Sequence, residues 1–150
     1  MTSKDRVLQR ERQRGYEAAK AIQNNADSMT GTELYAADDR IPRFAAACAK
    51  KNMLERPIGF TCKSSAGRVV KLLQPYDSTV FTQEPEELSA QWGFKWSTDP
   101  AKALPFIAIS TSPFMKGDCC TEEGKTYRSL IDNNVHAPSA YPAGWESVEM

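Results

Sequence analysis

Apolar positions are sparse over the first 25 residues and crowd together after Pro57, and this change of spacing predicts the elements. Residues 3–25 contain no proline and are rich in Arg, Gln, Glu, Lys and Ala, all good helix formers, with Gly15 the one strong interruption. Val7 and Leu8 stand at one end, and Tyr16, Ala19, Ile22 and Ala26 follow at three- and four-residue spacing. Between them residues 9–14 are wholly polar, so the pattern predicts a helix whose C-terminal half alone has a packing face. Val7, Leu8, Tyr16, Ala19 and Ile22 are the candidates for docking on a partner. A polar break covers residues 24–31, and Ile41-Pro42 marks an extended step because the residue before proline is pushed out of the helical region. Phe44, the alanines after it and Cys48 predict a short, closely packed helix over residues 43–52. From Pro57 onward Gly, Pro and aromatic residues punctuate short apolar runs, which predicts β structure with the main boundary near Met53.

The β region repeats itself. Residues 60–63 (FTCK), a turn at 64–67 and residues 68–73 (RVVKLL) read as a hairpin; so do 118–121 (DCCT), a turn at 122–124 and 125–130 (KTYRSL). The second strands align as GRVVKLL (67–73) against GKTYRSL (124–130), and the match resumes at PEELSAQW (85–92) against PSAYPAGW (138–145). Gly59 and Gly117 precede the two first strands. Length differences fall in the hairpin turn and the connection after it, where surface loops tolerate them. The fold class is therefore α+β: an N-terminal helical arm and linker with a short second helix (1–52), then two tandem small antiparallel β modules (53–100 and 101–150). Each copy spans only about 40 residues, near the lower limit for independent folding, so the modules should pack on each other, on the helices or on neighbouring subunits. Trp92 and Trp145 close the copies at matched positions and are expected in the core, with Val69, Leu72, Tyr127 and Leu130 on the packing face. Arg68, Lys71, Lys125 and Arg128 should point to water, and Trp96, Phe114 and Tyr141 are the candidates for exposed aromatic contacts.

Composition narrows the function. The 150 residues are 41% hydrophobic and 25% charged with zero formal net charge, so no global field draws the chain to nucleic acid or an anionic membrane. Lys4, Arg6, Arg10, Arg12, Arg14 and Lys20 outnumber Asp5, Glu11 and Glu17 in the arm, an excess too small for a nucleic-acid contact. No apolar run approaches the ~20 residues of a membrane span, nor does the N-terminus resemble a secretory signal, so a soluble product made in the cytoplasm is expected. Cys48, Cys62, Cys119 and Cys120 include no C-x-x-C and read as reduced thiols; neither a metal nor a cofactor is expected. His136 is the only histidine, without a nucleophile at a recommending spacing, and no glycine loop would cradle phosphate, which argues against an enzyme. Glu84, Glu86, Glu87, Glu122 and Glu123 read as solvated loop charge rather than a glycosidase carboxylate pair.

The stretch FMKGDCCTEEGKTYRSL (114–130), then DNNVHAP (132–138) and YPAGW (141–145), resembles the chitin-binding-type carbohydrate-binding module: an aromatic, Gly-Asp, a strand, Gly, a tyrosine-bearing strand, a proline and a closing tryptophan. Modules with this ending also recur in bacteriophage tail and baseplate proteins, and residues 29–145 are similar to small prophage proteins of that kind. The resemblance implies a compact three-stranded module and a place in a virion, in tail, baseplate or fibre, in several copies and docked to other virion proteins through the N-terminal helix. The alternative it implies is an accessory that touches host glycan through Phe114, His136, Tyr141 and Trp96, and a third is a cell-wall-degrading fragment whose catalytic part lies elsewhere. His136 stands where phage relatives commonly carry tryptophan, and Cys119-Cys120 where β-branched residues are usual; the first departure removes a flat platform for stacking on sugar.

Overall fold

A computed structural model describes residues 2–149, apart from the side chains of Glu11, Arg14, Tyr16, Ala18 and Asp27. Helix α1 (Ser3–Asn25) opens with a capping box in which Thr2 Oγ1 accepts from the Asp5 amide at 3.2 Å and the Asp5 carboxylate accepts from the Thr2 amide at 3.1 Å. Helix α2 (Gly31–Ala36) opens the same way, through Thr30 and Glu33. Helix α3 (Phe44–Lys50) follows the extended step at Ile41-Pro42. Two sheets complete the α+β fold. The first orders β1 (Thr61–Lys63), β2 (Val69–Leu72) and β3 (Trp92–Phe94), all antiparallel. The second orders β4 (Leu104–Pro105), β5 (Cys119–Glu122), β6 (Lys125–Ser129) and β7 (Trp145–Val148), with β4 parallel to β5 and the rest antiparallel.

The sequence repeat is a repeat of backbone pairing. Cys62 faces Val70 and Leu72 faces Trp92 in the first sheet; in the second, Cys120 faces Tyr127 and Ser129 faces Trp145. The Gly59 amide donates to the Leu72 carbonyl at 2.8 Å, as the Gly117 amide does to Ser129 at 2.9 Å. These glycines, and Gly67 and Gly124 in the turns, all have φ between 78° and 99°, a region that glycine enters without strain, which accounts for their recurrence. The duplication reaches further upstream than the sequence suggested. Arg43 bridges Lys63 in parallel as Pro105 pairs with Thr121, each after a 3₁₀ turn (Asp38–Arg40, Pro100–Lys102). Phe44 then meets Trp92 edge-on at 5.8 Å, and Phe106 meets Trp145 edge-on at 6.1 Å.

The copies share one core. Phe44, Ala47, Val70, Leu72 and Trp92 lie in the same buried cluster as Phe114, Cys120 and Trp145, so packing crosses both Met53 and Ala101. Two expected exposed aromatics are buried in it. Trp96 stacks on Phe114 at 4.1 Å between centroids, and its indole N–H donates to the Ser112 carbonyl at 2.9 Å. Each joins one module to the other, which explains why neither is free.

The strand faces also need correction. Alternation puts Val70 and Leu72 on the main core, while Val69 packs in a second cluster with Ile22, Ala26, Leu34, Tyr35 and Ile41. Tyr127 packs only partly on the core, and Leu130 is 43% exposed because the chain turns outward after β6, as it does at the matched Leu73. Arg68, expected in water, is buried. Its guanidinium meets the Glu86 carboxylate at 3.3 Å and donates to the Pro105 carbonyl at 2.6 Å, tying the first hairpin to β4. Glu86 is accordingly an ordered partner rather than solvated loop charge, and it also accepts from the Ser64 hydroxyl.

Candidate interaction surfaces

Helix α1 has 23 residues, roughly 35 Å at 1.5 Å per residue, and only its last two turns touch the body. Every side chain described from Thr2 to Glu17 is exposed. Ala19 is half-buried, and Ile22 and Ala26 are buried against Leu34, Tyr35 and Ile41. The Gln23 amide fixes the exit angle by pairing with edge strand β1 as a neighbouring strand would: its Nε2 donates to the Thr61 carbonyl at 2.6 Å and its Oε1 accepts from the Thr61 amide at 2.9 Å. Of the residues expected to dock on a partner, Ala19 and Ile22 are therefore used by the chain's own body, while Val7 and Leu8 remain at the surface. The side chain of Tyr16 lies outside the described residues.

Of the four aromatic-type residues proposed for glycan, the structure brings together His136 and Tyr141. Their rings meet edge to face at 5.8 Å, both exposed, with the Tyr141 ring lying over Gly144, where an added Cβ would fall 2.8 Å from it. The His136 carbonyl accepts from the Trp145 indole at 2.7 Å, and its amide donates to the buried Asn134 at 3.2 Å, which hold the loop. Trp96 and Phe114 are in the core and add nothing to this patch. A second exposed apolar set that sequence pattern did not single out, Leu54, Val80 and Phe81, stands on the first module. The loop bearing Val80 and Phe81 is tied down by hydrogen bonds among Asn52, Asp77, Ser78 and Thr79.

The titratable groups are mostly structural. Burial pushes the Cys62 thiol up strongly and the Cys120 thiol up to about 12, so neither is a thiolate near neutrality. Tyr35 is likewise pushed up to about 12 by burial; its hydroxyl donates to the Lys95 carbonyl at 2.8 Å and accepts from the Val69 amide at 3.1 Å. Desolvation raises the Asp118 carboxyl, although it accepts from the Met115 amide at 2.8 Å. Among the described residues, no group of three or more His, Cys, Asp or Glu side chains could hold a metal ion, and no helix is long and apolar enough to cross a membrane. Neither a family model nor a curated protein nor a solved structure matches the chain.

Proposed function

We propose that this protein is a non-catalytic structural adaptor that self-associates through α1 and presents a duplicated β body, and that the particle it builds is a phage virion. The observation that carries the adaptor reading is the helix that leaves the body with all its described side chains from Thr2 to Glu17 in solvent. A free helix of about 15 residues with so thin an apolar stripe is marginal in water, so its formation calls for a neighbour. Among the described residues, Val7 and Leu8 are the large apolar side chains this free segment offers. The virion part of the reading rests on the resemblance of residues 114–145 to tail and baseplate modules.

Light scattering on the full chain and on a variant lacking residues 2–17 tests it. The shorter chain keeps Ile22, Gln23 and Ala26, so its body stays folded. The full chain should have a multiple of the monomer mass and the shortened chain the monomer mass. Equal masses for the two would overturn the reading.

A second reading, contact with host glycan, is supported by the exposed pair His136 and Tyr141. It expects retention on chitin beads that Tyr141→Ala abolishes; retention unchanged by that variant, or none at all, counts against it.

A further inference from the structure

We infer that the body carries a docking groove for an acidic peptide, placed where α1 meets α3. The groove is about 520 Å³ in volume, and its floor is apolar and shallow-sided: Ile41, Pro42, Ala46, Ala47 and Phe60. Alanines at the floor let a peptide backbone come close. Its rim is basic, with Lys20, Arg40, Lys50 and Arg56 against the single acid Asp39. The chain as a whole is neutral, so four cations to one anion around one groove is a local concentration of charge.

The cations have little else to do. Among the described residues, Lys20, Arg40 and Lys50 make no ion pair, and all three are exposed. Arg56 is held rather than satisfied: its guanidinium lies 4.4 Å over the Phe60 ring and donates to the Ala47 carbonyl at 2.9 Å, while its Nε is buried without a partner. The positive field continues past Pro42, where a neighbouring depression carries Arg43 and Lys63 with Asp38 as its only acid. A basic rim over an apolar floor selects a partner with carboxylates flanking small apolar side chains. Nucleic acid fits less well, because no exposed aromatic lines either depression for a base to stack on. The groove uses no residue before Ala19, so it stands whether or not α1 drives assembly.

Fluorescence anisotropy with a labelled twelve-residue peptide of glutamate, alanine and leucine tests this, using both the full chain and the variant lacking residues 2–17. Controls are the same peptide with lysine for glutamate, and a twelve-nucleotide oligo-dT. Saturable binding of the acidic peptide to both proteins is expected, weakened at least ten-fold by Arg40→Glu with Lys50→Glu, and also by Ala46→Tyr, which fills the floor without changing charge. Both sets of positions are exposed, and circular dichroism verifies that the variants fold. No saturable binding, binding equal for the lysine peptide, or tighter binding of oligo-dT would overturn the inference. Binding lost only in the shortened chain would also overturn it, since the site would then belong to the arm.

Discussion

Gly31 shows how one position can set the seat of a helix. An added Cβ there would lie 1.9 Å from the Trp96 carbonyl oxygen, so α2 sits against the backbone of the segment that follows β3 and leads into the second module. Helix propensity alone would favour alanine. The packing predicts the opposite sign: Gly31→Ala should lower the melting temperature, with a cost of about 1–3 kcal/mol as the helix shifts. Arg68 gives a second prediction. Its side chain and that of Glu86 are 8% and 14% exposed, so Arg68→Ala leaves a nearly buried carboxylate without its cation and should cost about 3–5 kcal/mol in chemical denaturation, whereas replacing both by apolar residues should cost far less. Asp118 supplies a pH dependence. Its carboxyl is raised above 3.8 by burial, so the folded state holds that proton more tightly than the unfolded chain. The resulting stability is present below 3.8 and lost as pH rises through the folded value. On going from about pH 4 to about pH 7 the urea midpoint should therefore shift upward in Asp118→Asn relative to its shift in the parent chain, which loses the Asp118 contribution over that range.

Among the elements, those legible in the sequence were the ones whose signals are local. α1 was visible from its composition, and both hairpins from glycines at positive φ and from the matched tryptophans. Helix α2 was missed because six residues are too few for a periodic signal, although the Thr30 and Glu33 capping pair was there to be read. The parallel pairings at Arg43 and at β4 were missed because they use backbone groups of dissimilar side chains; the shared mark is the phenylalanine that follows each, Phe44 and Phe106. Long-range packing hid the rest: Trp96, Phe114 and Arg68 read as surface residues in a single module and become buried only where the two modules meet. Gln23, in the last turn of α1, had no signal, yet it closes the edge of β1. Gln23→Ala removes two hydrogen bonds to Thr61 and should cost about 1–3 kcal/mol, with increased aggregation from the unpaired edge, measured by thermal melting and light scattering.

At the scale of the whole molecule, a body whose two modules share one buried cluster carries a helix anchored at one end only, in a second cluster. The body does not begin at Met53, since Ile22, Ala26, Tyr35 and Phe44 are all buried in its clusters. On the proposed reading, assembly and stability divide within α1 itself: residues from Ala19 onward pack on the body, and those before it are left for a neighbour. Amide hydrogen exchange along α1, followed as a function of protein concentration, tests that division most directly. Residues 22–25 should be protected at every concentration, and residues 8–17 should exchange fast in dilute solution and slow down as the protein associates. Protection of residues 8–17 in the dilute monomer, or their fast exchange in the associated form, would contradict the account.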